Sequence, residues 1–172
     1  MTGHLVFSTI HTNNAAGTIP RLIDLGVNPK IISSALTLAI AQRLVRKLCP
    51  ACKKAVDATP EEKELLEKVN ESIKLKRPDL AVSSIGQIYE PVGCPACNNS
   101  GYKGREGIFE AILMDEAIAK VTTANPDEKE LRKAALPQGI LDMRQDGILK
   151  VLAGRTALEE LQRVIDLTAE II

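Results

Sequence analysis

Tryptophan is absent from this chain of 172 residues, and aromatic residues of every kind make up 2% of it. A surface that binds single-stranded nucleic acid needs rings on which bases can stack, so that class has little to build with here. Net charge is also lacking, because 22 Lys+Arg balance 22 Asp+Glu. A nucleic-acid-binding domain carries a basic excess, and no nucleic-acid partner is expected. Long apolar runs are missing as well. The most apolar stretch, IISSALTLAIAQRLV, is broken by Ser33, Ser34, Thr37 and Gln42 and is too short to cross a bilayer. The beginning shows no basic stretch followed by an apolar core and a cleavage site, so neither a secretory leader nor direct membrane insertion is expected. What remains is the ordinary apolar and charged content of a soluble globular protein. Without an export signal, its four cysteines read as metal ligands rather than disulfides.

Those cysteines carry the most specific chemistry. Cys49 and Cys52 flank one CPAC, and Cys94 and Cys97 flank a second. A CxxC turn brings two thiolates to one ion with backbone amides facing the sulfurs, and two such turns complete a tetrahedral site of the structural zinc type. With all four positions filled by protein, no place is left for a catalytic water, so the expected Zn²⁺ role is structural. The glycines after the second pair, Gly101 and Gly104, allow the tight backbone such a knuckle needs. The competing readings are a redox CxxC or unconnected buried thiols. A redox motif would open a helix after a strand, whereas Cys49 is expected to follow a helix.

Both histidines lie in the opening TGHLVFSTIHTNNAAG, as His4 and His11. Leu5 to Ile10 between them reads as a central parallel strand covered on both faces. On a continuous strand that separation places the two rings on opposite faces, roughly 23 Å apart, so they are not one metal site. His11 is the better functional candidate. It would sit past the carboxyl end of the strand, before a helix N-terminus that favours an anion. A solvated polar loop with one capping Asn is the alternative.

The rest of the chain reads as follows. A helix starts at Asn13 or Asn14, is kinked by Pro20 and stops at Gly26. A longer one runs from Pro29 to Leu48, with Ile32, Leu36, Ala39, Ile40 and Leu44 on one stripe and Arg43, Arg46 and Lys47 at its C-terminal end. The charged loop 56–82 contains no chemical motif. Its Thr59–Glu62 capping box starts an exposed helix, with Leu65, Leu66, Val69 and Ile73 on one face, protruding from the knuckle. Ile108 to Leu113 reads as a strand. Helices follow from Asp115, from Asn125 as cap, up to Gly154, and from a Thr156–Glu159 capping box, forming a small C-terminal bundle.

TGHLVFSTIHTN resembles the histidine box of the bacterial secretion ATPases that power type II secretion and type IV pilus assembly. AAGTIPRLIDLG, AQRLVRKLCPACK, CPACNNSGYKGREGIFEAILMDEAI and MRQDGILKVLAGRTALEEL resemble segments that follow it in that family, in the same order. The resemblance implies an α/β fold: the C-terminal part of a RecA-like P-loop ATPase domain, with a tetracysteine zinc subdomain and a C-terminal helical subdomain. Residues 1–48 would belong to the motor domain, 49–105 to the zinc subdomain and 106–172 to the helices. By resemblance His11 senses the terminal phosphate of ATP, His4 is the other box histidine, and Arg105 matches a basic position near the nucleotide. Cys49, Cys52, Cys94 and Cys97 match the family's metal ligands. The family implies ATP and Mg²⁺ in the complete motor, a hexameric ring of ATPase subunits and inner-membrane platform proteins as partners. It also implies a cytoplasmic place at the inner-membrane face.

The family's phosphate loop, GxxxxGK[ST], does not occur in the chain, nor do its acidic boxes. A phosphate loop supplies the amides and lysine that cradle the phosphates. The expectation is therefore a C-terminal fragment, inactive alone, whose Leu5–Ile10 strand lacks neighbours and associates or swaps through its open edges. The alternative is a self-standing zinc-binding interaction module without ATPase activity.

Overall fold

The computed structural model describes residues 3–80 and 85–167. Its order is α1 (Thr18–Asp24), α2 (Pro29–Ala35), β1 (Leu38–Leu48), β2 (Lys54–Asp57), α3 (Pro60–Lys76), β3 (Gln87–Glu90), β4 (Tyr102–Leu113), α4 (Glu116–Thr123), α5 (Glu128–Ala135), α6 (Met143–Leu152) and α7 (Leu158–Val164). β1 pairs antiparallel with β4, and β2 with β3. The architecture is mixed α/β, with small sheets. No helix among the described residues is long and apolar enough to cross a membrane.

The long helix expected from Pro29 to Leu48 is instead a short helix followed by a strand. α2 stops at Leu36, whose ψ of 124° is extended. β1 then runs against β4 in register from Leu38↔Leu113 to Arg46↔Arg105, slipping before Leu48↔Tyr102. An apolar run of this length satisfies both periods, and long-range pairing decides between them. Ala39 and Val45 face inward, whereas Ile40 and Leu44 of the supposed helical stripe are 60% and 51% exposed.

The opening segment also differs from expectation. Leu5 to Ile10 is not a strand. It has no regular structure, and Leu5, Val6 and Phe7 are 77–89% exposed. Among the described residues it pairs with no other strand, and the sheet holds β1 and β4 alone. Pro20 does not kink α1. It occupies the first turn, where its missing N–H would have had no helical partner anyway. Gly26 ends the helix as expected, at φ +84°.

Two apolar cores form among the described residues. One gathers Ala15, Ala16, Ile19, Ile32, Ala39, Ile112, Ile118 and Leu131 between α1, α2, α4, α5 and the sheet. The other contains Val45, Leu66, Val69, Ile73, Ile88, Ile148, Val151, Leu158 and Leu161. α3 is therefore no protruding insertion. Its capping box forms, with Thr59 N–H donating to Glu62 at 2.8 Å and Glu62 N–H to Thr59 Oγ1 at 3.3 Å. Its apolar face is buried against α6. The far end of the charged loop, residues 81–82, lies outside the described residues.

Two caps move. α5 is capped by Asp127, in a box with Glu130, and not by Asn125, which sits at φ +58°. α7 begins after Ala157 without a side-chain cap, because the Thr156 hydroxyl donates to the Arg46 carbonyl at 2.9 Å.

Candidate metal centre

Two antiparallel ladders close the sequence gap between the CPAC turns. Cys49 follows β1 directly and Cys52 leads into β2, while β3 returns the chain to Cys94 and β4 leaves just beyond Cys97. The Cys49 amide donates to the Gly101 carbonyl at 2.9 Å, which fastens one turn to the other. Within the turns, Cys52 N–H donates to Cys49 O at 3.2 Å and Cys97 N–H to Cys94 O at 3.1 Å.

The four sulfurs lie within 4.8 Å of one another, a cluster that could hold one metal ion. Cys49 to Cys94 is 3.9 Å, Cys52 to Cys97 is 3.8 Å and Cys94 to Cys97 is 3.7 Å. Backbone amides point at the sulfurs: Gly93 N–H at Cys52 (3.3 Å), Cys94 N–H at Cys97 (3.2 Å) and Gly101 N–H at Cys97 (3.3 Å). Burial works against the Cys97 thiolate, but the Cys94 and Gly101 amides outweigh it and bring that thiol down to about 6. Burial pushes the Cys52 thiol the other way, up to about 11, so the amides favour a thiolate at Cys97 and an arriving ion would have to displace the Cys52 proton.

Glycine shapes the knuckle at two positions. Gly101 takes φ +76°, and a Cβ there would stand 2.4 Å from Pro91 Cβ. Gly93, which the sequence reading passed over, takes φ +107°, with a Cβ position 2.7 Å from the Asn99 carbonyl oxygen. Gly104 has φ +82° but lies within β4, with open space around its Cβ position.

Side chains missed by sequence reasoning join the knuckle to the helices. Lys53 reaches the Gly154 carbonyl at 2.8 Å, 4.6 Å above the Tyr89 ring. Arg46, at the end of β1, pairs with Glu160 on α7 at 2.6 Å, and Arg163 reaches the same carboxylate at 2.7 Å. Glu160 is fully buried. Desolvation opposes its charge, yet the two guanidiniums and the Arg46 amide win and hold the carboxyl at about 2. Arg46 and Glu160 stand 114 residues apart and Lys53 and Gly154 stand 101 apart, and nothing local marks these two contacts.

The other candidates do not join the cysteines. His4 and His11 are exposed in the irregular opening segment. Arg105 is exposed on β4, opposite Arg46. Among the described residues no hydrogen bond or ion pair connects either histidine or Arg105 to the others or to the cluster. The stretch just after His11 is held firmly, however. Buried Glu110 on β4 accepts the Ala15 amide at 2.6 Å, and Asn14 donates to Glu128 at 2.7 Å. Glu110, Arg43 and Lys76 also line a cavity of about 440 Å³ between the sheet, α5 and the start of α6.

Comparison with known proteins adds three findings. A family model described as Type II/IV secretion system protein matches residues 1–163. The chain is 42% identical to the type II secretion system ATPase E of Vibrio cholerae, over 95% of this chain and 30% of that protein. It is 40% identical to the type IV pilus assembly ATPase TfpB of Acinetobacter baylyi, over 98% of this chain and 27% of that protein. The chain thus spans about 30% of the length of these curated relatives.

Proposed function

The chain belongs to the type II/IV secretion system protein family, and from that premise we propose that it forms the C-terminal part of a hexameric ATPase powering type II secretion or type IV pilus assembly. The observation that carries this reading is the 42% identity to a type II secretion ATPase over 95% of the chain. In it, residues 1–48 are the last segment of a RecA-like motor domain, 49–105 the metal subdomain and 106–172 the helical subdomain. The β1–β4 ladder ties the first of these to the third.

The chain contains no GxxxxGK[ST] phosphate loop. On this reading it contributes side chains to a nucleotide site whose phosphate cradle lies in other residues, and it does not hydrolyse ATP by itself. His11, exposed ahead of a fixed stretch, is free to meet the terminal phosphate. His4 is the second residue of the box, and Arg105 a basic group on the nucleotide side. The partners are other subunits of the ring and platform proteins of the machine, at the cytoplasmic face of the inner membrane.

The metal in this proposal is zinc. At a Zn–S bond of about 2.3 Å, a tetrahedron of thiolates has sulfur–sulfur edges of roughly 3.8 Å; three of the cluster's edges are 3.7, 3.8 and 3.9 Å, and all its sulfurs lie within 4.8 Å of one another. Cys49, Cys52, Cys94 and Cys97 would hold it, and its contribution is to lock the two turns together.

The experiment is a graft. Residues 3–167 replace the matching region of the Vibrio cholerae ATPase, and the hybrid is assayed for ATP hydrolysis and for secretion in a strain lacking the native protein. Hydrolysis by the hybrid and none by the isolated chain is the expected result. A folded hybrid ring that binds ATP without turning it over overturns the reading.

A further inference from the structure

The stretch that follows His11 is fixed from several directions. Thr12 Oγ1 donates to the Asn14 carbonyl at 3.0 Å, and Arg43 Nη2 donates to Asn13 Oδ1 at 3.3 Å. Asn14 Oδ1 accepts Gly17 N–H at 2.8 Å. The strongest tie is the least exposed. Glu110 is 8% exposed, and its Oε1 accepts Ala15 N–H at 2.6 Å while Oε2 accepts Met143 N–H at a longer 3.4 Å. Ala15 stands just ahead of α1, and Met143 is the first residue of α6.

Glu110 has no ion-pair partner among the described residues. A buried carboxylate is costly to keep, even with Arg43 and Lys76 lining the same cavity, and a core position on β4 would be filled more cheaply by an apolar side chain. Its two oxygens instead collect one amide from each of two elements distant in sequence, a charge-assisted arrangement that fixes where those elements stand. Thr12, Asn13, Asn14 and Ala15 each take part in a hydrogen bond of this stretch, and His11 is the first residue beyond them.

We propose that Glu110 is the positioning residue of the histidine segment: its buried carboxylate holds the Ala15 amide, and through it His11, in register with the first turn of α6. A consequence for turnover rests on the ATPase reading above. The anchoring itself does not. A nucleotide that draws His11 toward its terminal phosphate pulls on Ala15, and Glu110 passes that displacement to the start of α6. The chain thereby contains a direct connection from the phosphate-facing segment to its C-terminal helices.

The test variant is Glu110→Gln, which keeps the side chain's shape but offers one acceptor where the carboxylate offers two. In the intact chain, hydrogen exchange is read at the Ala15 to Thr18 amides and, as a control, at the Leu66 and Ile148 amides of the other core. We expect exchange about 10-fold faster at Ala15–Thr18 with the control amides unchanged, since local opening is separable from global unfolding. In the Vibrio cholerae hybrid we expect kcat about 10-fold lower with KM for ATP within about 2-fold, the pattern of a misplaced group that acts in the transition state. Unchanged exchange at Ala15–Thr18 overturns the anchoring. Equal acceleration at all amides reduces Glu110 to a general stabiliser and also overturns it. Faster local exchange with unchanged kcat overturns the role in turnover. An unsubstituted hybrid without turnover counts against the ATPase reading and that role together, while exchange still decides the anchoring.

Discussion

Arg46 and Glu160 meet through three bonds across 114 residues of sequence: the guanidinium reaches Oε2 at 2.6 and 2.8 Å, and the Arg46 amide reaches Oε1 at 3.0 Å. The end of β1, immediately before Cys49, is in this way fixed to α7. Thr156 reinforces the junction through the Arg46 carbonyl, and Tyr102 lies against the guanidinium, 4.1 Å from its ring centre. The helices thus hold the strand from which the metal turn springs.

That junction predicts a pH dependence with a definite sign. The folded-state pKa of Glu160, about 2, lies below its ordinary 4.5. Its contribution is therefore complete above pH 4.5 and is lost as the pH falls from there toward 2. Glu160→Gln should cost about 1–2 kcal/mol at pH 7, because the carboxylate lost is buried while the two guanidiniums left behind are about half exposed and screened by water. Urea denaturation of both proteins at pH 7, 4 and 2.5 checks this: the gap between them should narrow toward the acid end. A gap independent of pH would mean that the carboxylate charge contributes nothing.

The metal centre predicts one bound zinc per chain. A chelator should release it and lower the melting temperature, and Cys94→Ser should bind it far more weakly, because three thiolates leave the tetrahedron open. Metal analysis of protein purified without added zinc, followed by thermal melting with and without chelator, is the measurement. A chelated protein that melts unchanged would leave the cluster as buried thiols.

Gly101→Ala should destabilise the knuckle by more than 1 kcal/mol, roughly, the cost of forcing a Cβ into a left-handed backbone. The Cβ position 2.4 Å from Pro91 adds a collision to the strain. Gly104→Ala is the comparison, because its φ is also positive, at +82°, but nothing stands near its Cβ position. Denaturation midpoints of the two variants separate collision from strain; equal losses would assign the whole effect to the backbone.

Why some of this could be read from the sequence and some could not follows from the range of each interaction. The two CPAC turns and the Thr59–Glu62 box are decided within a few residues, so spacing alone specifies them. β1 is not decided locally. Residues 36–48 suit a helix and a strand equally well until Tyr102–Leu113 arrive to pair with them. The Thr156–Glu159 box fails for a related reason, because the Arg46 carbonyl, 110 residues away, takes the hydroxyl that would have capped α7. α3 misled through composition: its charged residues suggest a free helix, while Leu66, Val69 and Ile73 complete a core whose other half lies on α6 and α7. Glu110 gave no signal at all, since a single acid in a strand has no pattern.

The burial of α3 yields its own test. Ile73 is fully buried in the larger core, so Ile73→Ala should cost about 2–5 kcal/mol, as truncations of buried aliphatics do. Leu75, two residues on, is 88% exposed, and Leu75→Ala should change stability by less than about 0.5 kcal/mol. Were α3 a protruding arm, the two substitutions would behave alike.

His11 is exposed, yet it directly precedes a stretch tied down by Thr12, Asn13, Asn14 and Ala15. On the ATPase reading, a group so placed meets the phosphate without reorganising the fold. In the Vibrio cholerae hybrid, His11→Ala should lower kcat by about 10-fold or more and change KM for ATP little, because an interaction realised in the transition state affects turnover rather than ground-state binding. His4→Ala is the natural comparison, since it removes a histidine farther from the fixed stretch. Steady-state kinetics of the three proteins, with nucleotide affinity measured separately on a non-hydrolysable analogue, distinguishes the outcomes. If His11→Ala loses affinity and kcat in equal measure, the ring binds the ground state and is no transition-state sensor. If both variants turn over normally, the histidine segment has no part in hydrolysis.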